Sequence, residues 1–143
     1  KVRQTLVANL RFAAAALEKE GIRLLVEALN DKDVPGFYLV RTADTLALIK
    51  EVGSPNVFFQ YDVYHMQIME GNLTKTIQAN LAQIAHIQIA DNPGRNEPGT
   101  GEINYPYLFK AIDAAGYTGW IGCEYKPAGK TEEGLGWLKP YRG

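Results

Sequence analysis

Val57-Phe-Phe-Gln-Tyr-Asp-Val63 is an apolar, aromatic-rich run of strand length, with one acid close to its end. A run that is apolar on both alternating faces belongs to a strand covered on both sides, as in a parallel sheet. Three further segments, over 22–29, 85–90 and 119–125, are likewise apolar, of strand length and marked by one acid or amide near their end. Between them the apolar spacing changes to three and four residues, the helical period. Residues 2–20 carry Leu6, Leu10, Ala13, Ala14 and Leu17 in that rhythm and close on Gly21, where a left-handed cap is expected. A second helix is capped by Thr42, holds Asp44 in its first turn and stops near Gly53 and Pro55. A third follows Asn72 over 73–83, a fourth covers 105–115 before Gly116, and a last one covers 131–138. Residues 31–40, 64–71 and 91–102 read as loops.

The order is one helix and then four strand–loop–helix units, in a single domain spanning 1–143. That predicts an α/β fold with parallel strands, covering half of the eight βα units of a closed (β/α)8 TIM barrel. The loops after the strands are longer and more polar than returns such as Ser54-Pro55-Asn56, and in such barrels those loops hold the chemistry. The first and last strands would be unpaired edges.

Composition narrows the function. With 46% apolar and 22% charged residues, 143 residues suffice for a hydrophobic core. Fifteen basic residues against sixteen acidic ones give a net charge of -1 with no basic stripe, so nucleic acid is not expected as a partner. No run approaches the roughly 20 apolar residues of a membrane span, and residues 1–10 lack a signal peptide's layout. A soluble, cytoplasmic protein with no membrane partner is expected. The single Cys123 excludes an internal disulfide and a cysteine-rich zinc site, and two histidines are too few for a His-built multinuclear cluster.

Each strand carries one polar residue where an apolar one is expected. Side chains two apart share a face, so Glu27 lies with Leu25, Asp62 with Gln60, Gln88 with His86 and Glu124 with Gly122. In a closed barrel these four would converge at the catalytic mouth. Taken singly, each is ordinarily a buried group satisfied by backbone; together, near the ends of four consecutive strands, they argue for a site. Three carboxylates in one cavity repel and are costly to desolvate, and no lysine or arginine within the strands pairs with them. A divalent cation does, and an oxygen-only set of Glu27, Asp62, Gln88 and Glu124 suits Mg²⁺ or Mn²⁺ better than zinc.

Other residues surround this point. His65 is placed to hold a substrate oxygen, or is structural. Lys126 neutralises an acidic substrate or reaches solvent. Arg95 is a carboxylate clamp or a solvated loop residue. His86 orients Gln88 or packs in the core, and Gly122 leaves room for a ligand. Tyr105, Tyr107 and Phe109 read as helix-packing residues and Cys123 as a small buried hydrophobe facing the helices. The loop glycines of 91–102 follow neither a dinucleotide nor a P-loop fingerprint.

Leu24-Leu-Val-Glu-Ala-Leu-Asn30, Gln60-Tyr-Asp-Val-Tyr-His-Met-Gln67, His86-Ile-Gln-Ile-Ala-Asp-Asn-Pro93, Glu97-Pro-Gly-Thr-Gly-Glu-Ile-Asn-Tyr105 and Gly122-Cys-Glu-Tyr-Lys-Pro127 resemble, in order and over essentially the whole chain, the hydroxypyruvate isomerases of the xylose isomerase-like barrel superfamily. The resemblance implies that the chain is the C-terminal half of the usual barrel. It implies that Glu27 and Glu124 are acid/base residues that also ligate a divalent metal, with Asp62 and Gln88 as further ligands. Related sugar epimerases usually carry histidine where Gln88 stands, which favours the hydroxypyruvate branch. The activity implied is interconversion of hydroxypyruvate and tartronate semialdehyde through an enediolate, with His65 and either Arg95 or Lys126 holding the substrate. The implied partner is a small hydroxy-keto acid, alongside a homo-oligomer or pairing with an N-terminal half. The rival expectations are a 2-oxo-tetronate isomerase, a ketose 3-epimerase, and a non-catalytic half-barrel. A zinc phosphoesterase of the same superfamily would need more histidines.

Overall fold

A computed structural model describes residues 1–142. Its elements are α1 (Val2–Lys19), β1 (Leu24–Glu27), α2 (Thr42–Val52), β2 (Val57–Asp62), α3 (Val63–Met69), α4 (Leu73–Asn80), β3 (Ile84–Ile89), α5 (Tyr105–Ala114), β4 (Ile121–Cys123) and α6 (Thr131–Gly134). One-turn and longer 3₁₀ segments follow α4 (Leu81–Gln83) and α6 (Leu135–Tyr141). The strands form one sheet in the order β1-β2-β3-β4, every pair parallel. The expected half-barrel of consecutive βα units is therefore the observed architecture.

The two faces of this sheet differ. Val26, Ala28, Phe59, Tyr61, Ile87 and Ile89 point to the helices and are buried with Val7, Ala14, Leu48, Ile49, Ile77, Leu108 and Ile112. Each large apolar side chain buried there stabilises the fold by about 1.5–3 kcal/mol. On the other face, Leu25, Glu27, Phe58, Gln60, His86, Gln88 and Gly122 are only half-buried. In a full barrel that face is the interior.

Several local expectations are corrected. The run 64–71, expected as loop, is mostly the helix α3. It starts straight from β2 because the Asp62 side chain accepts the backbone N–H of His65 at 3.1 Å, a helix N-cap supplied by the strand's last residue. Thr42 does not cap α2; the N-cap is Arg41, without a side-chain cap bond. Instead the Glu70 carboxylate accepts both the Thr42 backbone N–H and its hydroxyl at 2.8 Å, placing negative charge at the start of α2. Tyr105 and Phe109 pack as expected, but Tyr107 is 60% exposed. Cys123 faces the helix side yet is exposed, on a groove lined by Ile89, Phe109 and Trp137.

Candidate functional site

Strand register brings the four inward residues together. Glu27 is level with Gln60, Gln60 with His86, Asp62 with Gln88, and Gln88 with Gly122. Asp62 and Gln88 thus stand two residues further along than Glu27, and Glu124 two further again. A drift of four residues over three strand pairs is close to the stagger of about one residue per strand of an eight-stranded barrel with tilted strands. The tilt converts unequal register into equal height.

Glu27, Asp62, His65 and Glu124 each offer a donor atom, all within 4.8 Å of one another. Asp62 and His65 are fully buried, and Glu27 is half-buried. Two carboxylate oxygens in this group, Glu27 Oε1 and Asp62 Oδ2, are buried without a hydrogen-bond partner. Burial, and then repulsion from Asp62 and Glu124, pushes the Glu27 carboxyl up to about 7. Burial likewise pushes Asp62 up to about 6, against the pull of the His65 backbone N–H and of Arg95. Orphaned buried oxygens and carboxylates that resist ionisation are what an oxygen-coordinated divalent cation would relieve. The donor set therefore fits such an ion.

Gln88 takes a bond from a residue that sequence reasoning left without a role: Gln60 Nε2 donates to Gln88 Oε1 at 2.5 Å. An amide oxygen has a second lone pair, so Gln88 keeps acceptor capacity toward the pocket. Gly122 is constrained as well, since a Cβ there would lie 2.8 Å from His86 Nε2.

Arg95 arrives from the loop after β3, in the left-handed region at φ 54°. Its carbonyl accepts the Lys126 N–H at 2.7 Å, and Asn96 Nδ2 donates to the Lys126 carbonyl at 2.7 Å, so the loop is tied to the segment beyond β4. Its guanidinium bonds Glu124 at 2.9 Å, comes within 3.4 Å of His65 Nε2 and lies 5.0 Å above the Tyr64 ring. No lysine or arginine within the strands is expected to pair with these acids; the cation that does pair with one of them, Arg95, comes from the loop. The Lys126 side chain is exposed and, among the described residues, makes no hydrogen bond or ion pair.

A parallel half-barrel with an acidic cluster at its strand ends defines the class, a βα-barrel with a candidate metal site where the strands end. The chain matches the family model of the xylose isomerase-like TIM barrel over residues 1–141 and belongs to that family. It is 57% identical over 142 residues to the hydroxypyruvate isomerase of Escherichia coli, covering 99% of this chain and 55% of that protein. It is 50% identical to the 2-oxo-tetronate isomerase of Cupriavidus necator over 143 residues, covering all of this chain and 55% of that one. A crystal structure from Brucella melitensis, described as an AP endonuclease of family 2, superposes with a TM-score of 0.95 at 48% identity, over 99% of this chain and 55% of that one. A 3-keto-D-glucoside 4-epimerase from E. coli does so at 0.86 and 27% identity, over 96% and 53%. The chain spans about half the length of the relatives it matches. Among the described residues no helix is long and apolar enough to cross a membrane.

Proposed function

We propose that this chain carries the metal and proton-transfer residues of a hydroxypyruvate isomerase, acting on a small hydroxy-keto acid. The observation that carries the reading is the pair of unpartnered buried oxygens, Glu27 Oε1 and Asp62 Oδ2, beside Glu124. Glu27, Asp62, Gln88 and Glu124 would hold Mg²⁺ or Mn²⁺. The ion, when bound, supplies positive charge where an enediolate becomes negative.

The protein's own groups move the protons. Glu27 and Glu124 flank the pocket: one removes the proton from C3 of hydroxypyruvate, the other returns one at C2, and a hydroxyl proton changes oxygen in between. His65 and Arg95 lie side by side and hold the substrate's oxygens, and Lys126 meets its carboxylate from the rim. The unpaired outer edges of β1 and β4 and the half-open inner face fit completion of the barrel by four further βα units, in a longer chain or a second copy. 2-Oxo-tetronate isomerisation is the second reading, favoured by the 50% identical relative.

The test is turnover of hydroxypyruvate, 2-oxo-tetronate and a ketose by the metal-loaded protein, with its mass measured in solution. Preference for hydroxypyruvate is expected. A monomer of this length that is inert with Mg²⁺ and Mn²⁺ would leave only a non-catalytic half-barrel.

A further inference from the structure

Asn30, fully buried just beyond β1, has an amide whose orientation is fixed by its neighbours. Its Oδ1 accepts the backbone N–H groups of Lys32 at 3.0 Å and Asp33 at 2.8 Å, and a backbone N–H can only donate. The other end is therefore the amide nitrogen. That nitrogen donates to Asp33 Oδ2 at 3.0 Å and faces His65 Nδ1 at 2.7 Å. The Asn30 backbone N–H points to the same His65 Nδ1, at 3.0 Å.

Two donors converge on one ring nitrogen, so that nitrogen presents a lone pair and carries no proton. In a neutral imidazole the proton then sits on Nε2. An imidazolium is protonated on both ring nitrogens and could not accept the Asn30 backbone N–H at Nδ1, so the ring is neutral. His65 Nε2 lies 3.4 Å from Arg95 Nη2 and 3.9 Å from Asp62 Oδ2. With its proton there, Nε2–H and the Arg95 N–H are adjacent donors that cannot bond each other. An oxygen acceptor placed between them would satisfy both.

We infer that Asn30 is a positioning residue that locks His65 into its Nε2–H tautomer, so that the ring turns a hydrogen-bond donor, not a metal-binding lone pair, toward Glu27, Asp62 and Glu124. His65 is close enough to these acids to serve as a ligand. Ligation through a neutral ring would need the proton on Nδ1, against two buried donors, each left unsatisfied at a cost of about 1–3 kcal/mol. The cation shell is then built from oxygen alone, and His65 is kept for an acceptor oxygen of the bound acid. The tautomer follows from Asn30; only the use made of the donor rests on the isomerase reading.

With two histidines in the chain, His65 and His86, the ring nitrogens are separable by long-range ¹H–¹⁵N correlation on uniformly labelled protein, assigned with a His86→Gln variant. The expected spectrum gives His65 an unprotonated Nδ1 and a protonated Nε2, unchanged when Mg²⁺ is added. A protonated Nδ1, or loss of the Nε2 proton on adding Mg²⁺, overturns the inference. Asn30→Asp replaces the side-chain donor by an acceptor of equal size and is expected to shift His65 toward the Nδ1–H form. In the metal-loaded isomerase the same variant is expected to lower kcat/KM by about 10- to 100-fold at unchanged metal content. A folded Asn30→Asp protein with the unaltered ring spectrum refutes the role given to the Asn30 side chain. If the protein proves inert toward hydroxypyruvate, the nitrogen shifts still decide the tautomer.

Discussion

The Arg95 guanidinium bonds the Glu124 carboxylate at 2.9 Å, joining a loop residue of left-handed conformation to the acid just beyond β4. This pair compensates the most exposed carboxylate of the cluster and leaves the two inner ones, Glu27 and Asp62, each with an orphaned oxygen. The site is therefore unevenly balanced. Its outer rim is neutralised by Arg95, while its inner pair keeps carboxylate oxygens that no protein donor meets.

Glu124→Gln keeps the side chain's size while removing its charge and its capacity as a base. Turnover is expected to fall at least about 100-fold, with weaker metal binding. Because the Glu124 side chain is half-exposed, losing its ion pair is expected to change stability by no more than about 1 kcal/mol. Steady-state kinetics, metal content and thermal unfolding on the same sample check all three, and undiminished turnover would refute the catalytic role.

Asp62→Asn separates function from stability. The amide can still cap α3 through its oxygen, so the local fold is kept. Removing a buried carboxylate that ionises only above about 6 is expected to stabilise the metal-free chain at pH 8 by about 1–3 kcal/mol. The increase in melting temperature on adding Mn²⁺ should vanish in the same variant. Calorimetry with and without the ion reads both effects, and a destabilised metal-free variant would argue that Asp62 is structural.

The βα units and the inward acids are legible in the sequence because both rest on local periodicity: apolar runs for β1 to β4, and alternation that sets Glu27, Asp62, Gln88 and Glu124 on one face. What escaped depends on partners far along the chain. Asn30 meets His65 across 35 residues, Glu70 caps α2 across 28, and Arg95 reaches Glu124 across 29. The helix α3 is hidden for another reason. No turn residue separates it from β2, and its one signal, Asp62, serves both as a candidate ligand and as the N-cap three residues ahead of the His65 N–H.

Proton competition follows from the same two inner acids. Their folded pKa values, about 7 for Glu27 and about 6 for Asp62, lie above the ordinary values of 4.5 and 3.8. The folded metal-free chain therefore holds protons that the unfolded chain has lost, and these groups favour folding at low pH and oppose it as pH rises from about 4 through 7. A cation must displace those protons. Isothermal titration with Mn²⁺ in buffers of different ionisation enthalpy is expected to show proton release at pH 6 and almost none at pH 9, with affinity falling as pH drops below 7. Release that does not change between these pH values would mean that Glu27 and Asp62 do not hold the ion.

The loop that delivers Arg95 is built on Asp91. This buried carboxylate accepts the backbone N–H groups of Asn92, Gly99, Gly101 and Ile103 at 2.9, 2.8, 3.0 and 3.1 Å. Gly101 fits only without a side chain, because a Cβ there would run into the Asn92 carbonyl oxygen. Asp91→Ala leaves those donors without their acceptor and is expected to cost about 2–5 kcal/mol. Gly101→Ala should disturb the same loop sterically, with Asp91 intact. In both variants the Lys126 amide, bonded to the Arg95 carbonyl at 2.7 Å, is expected to exchange with solvent faster than in the parent protein, while amides of β2 and β3 stay protected. Since the Arg95 side chain reaches Glu124 only from this loop, turnover should fall along with that protection. A variant with an open loop and full activity would remove Arg95 from the working site.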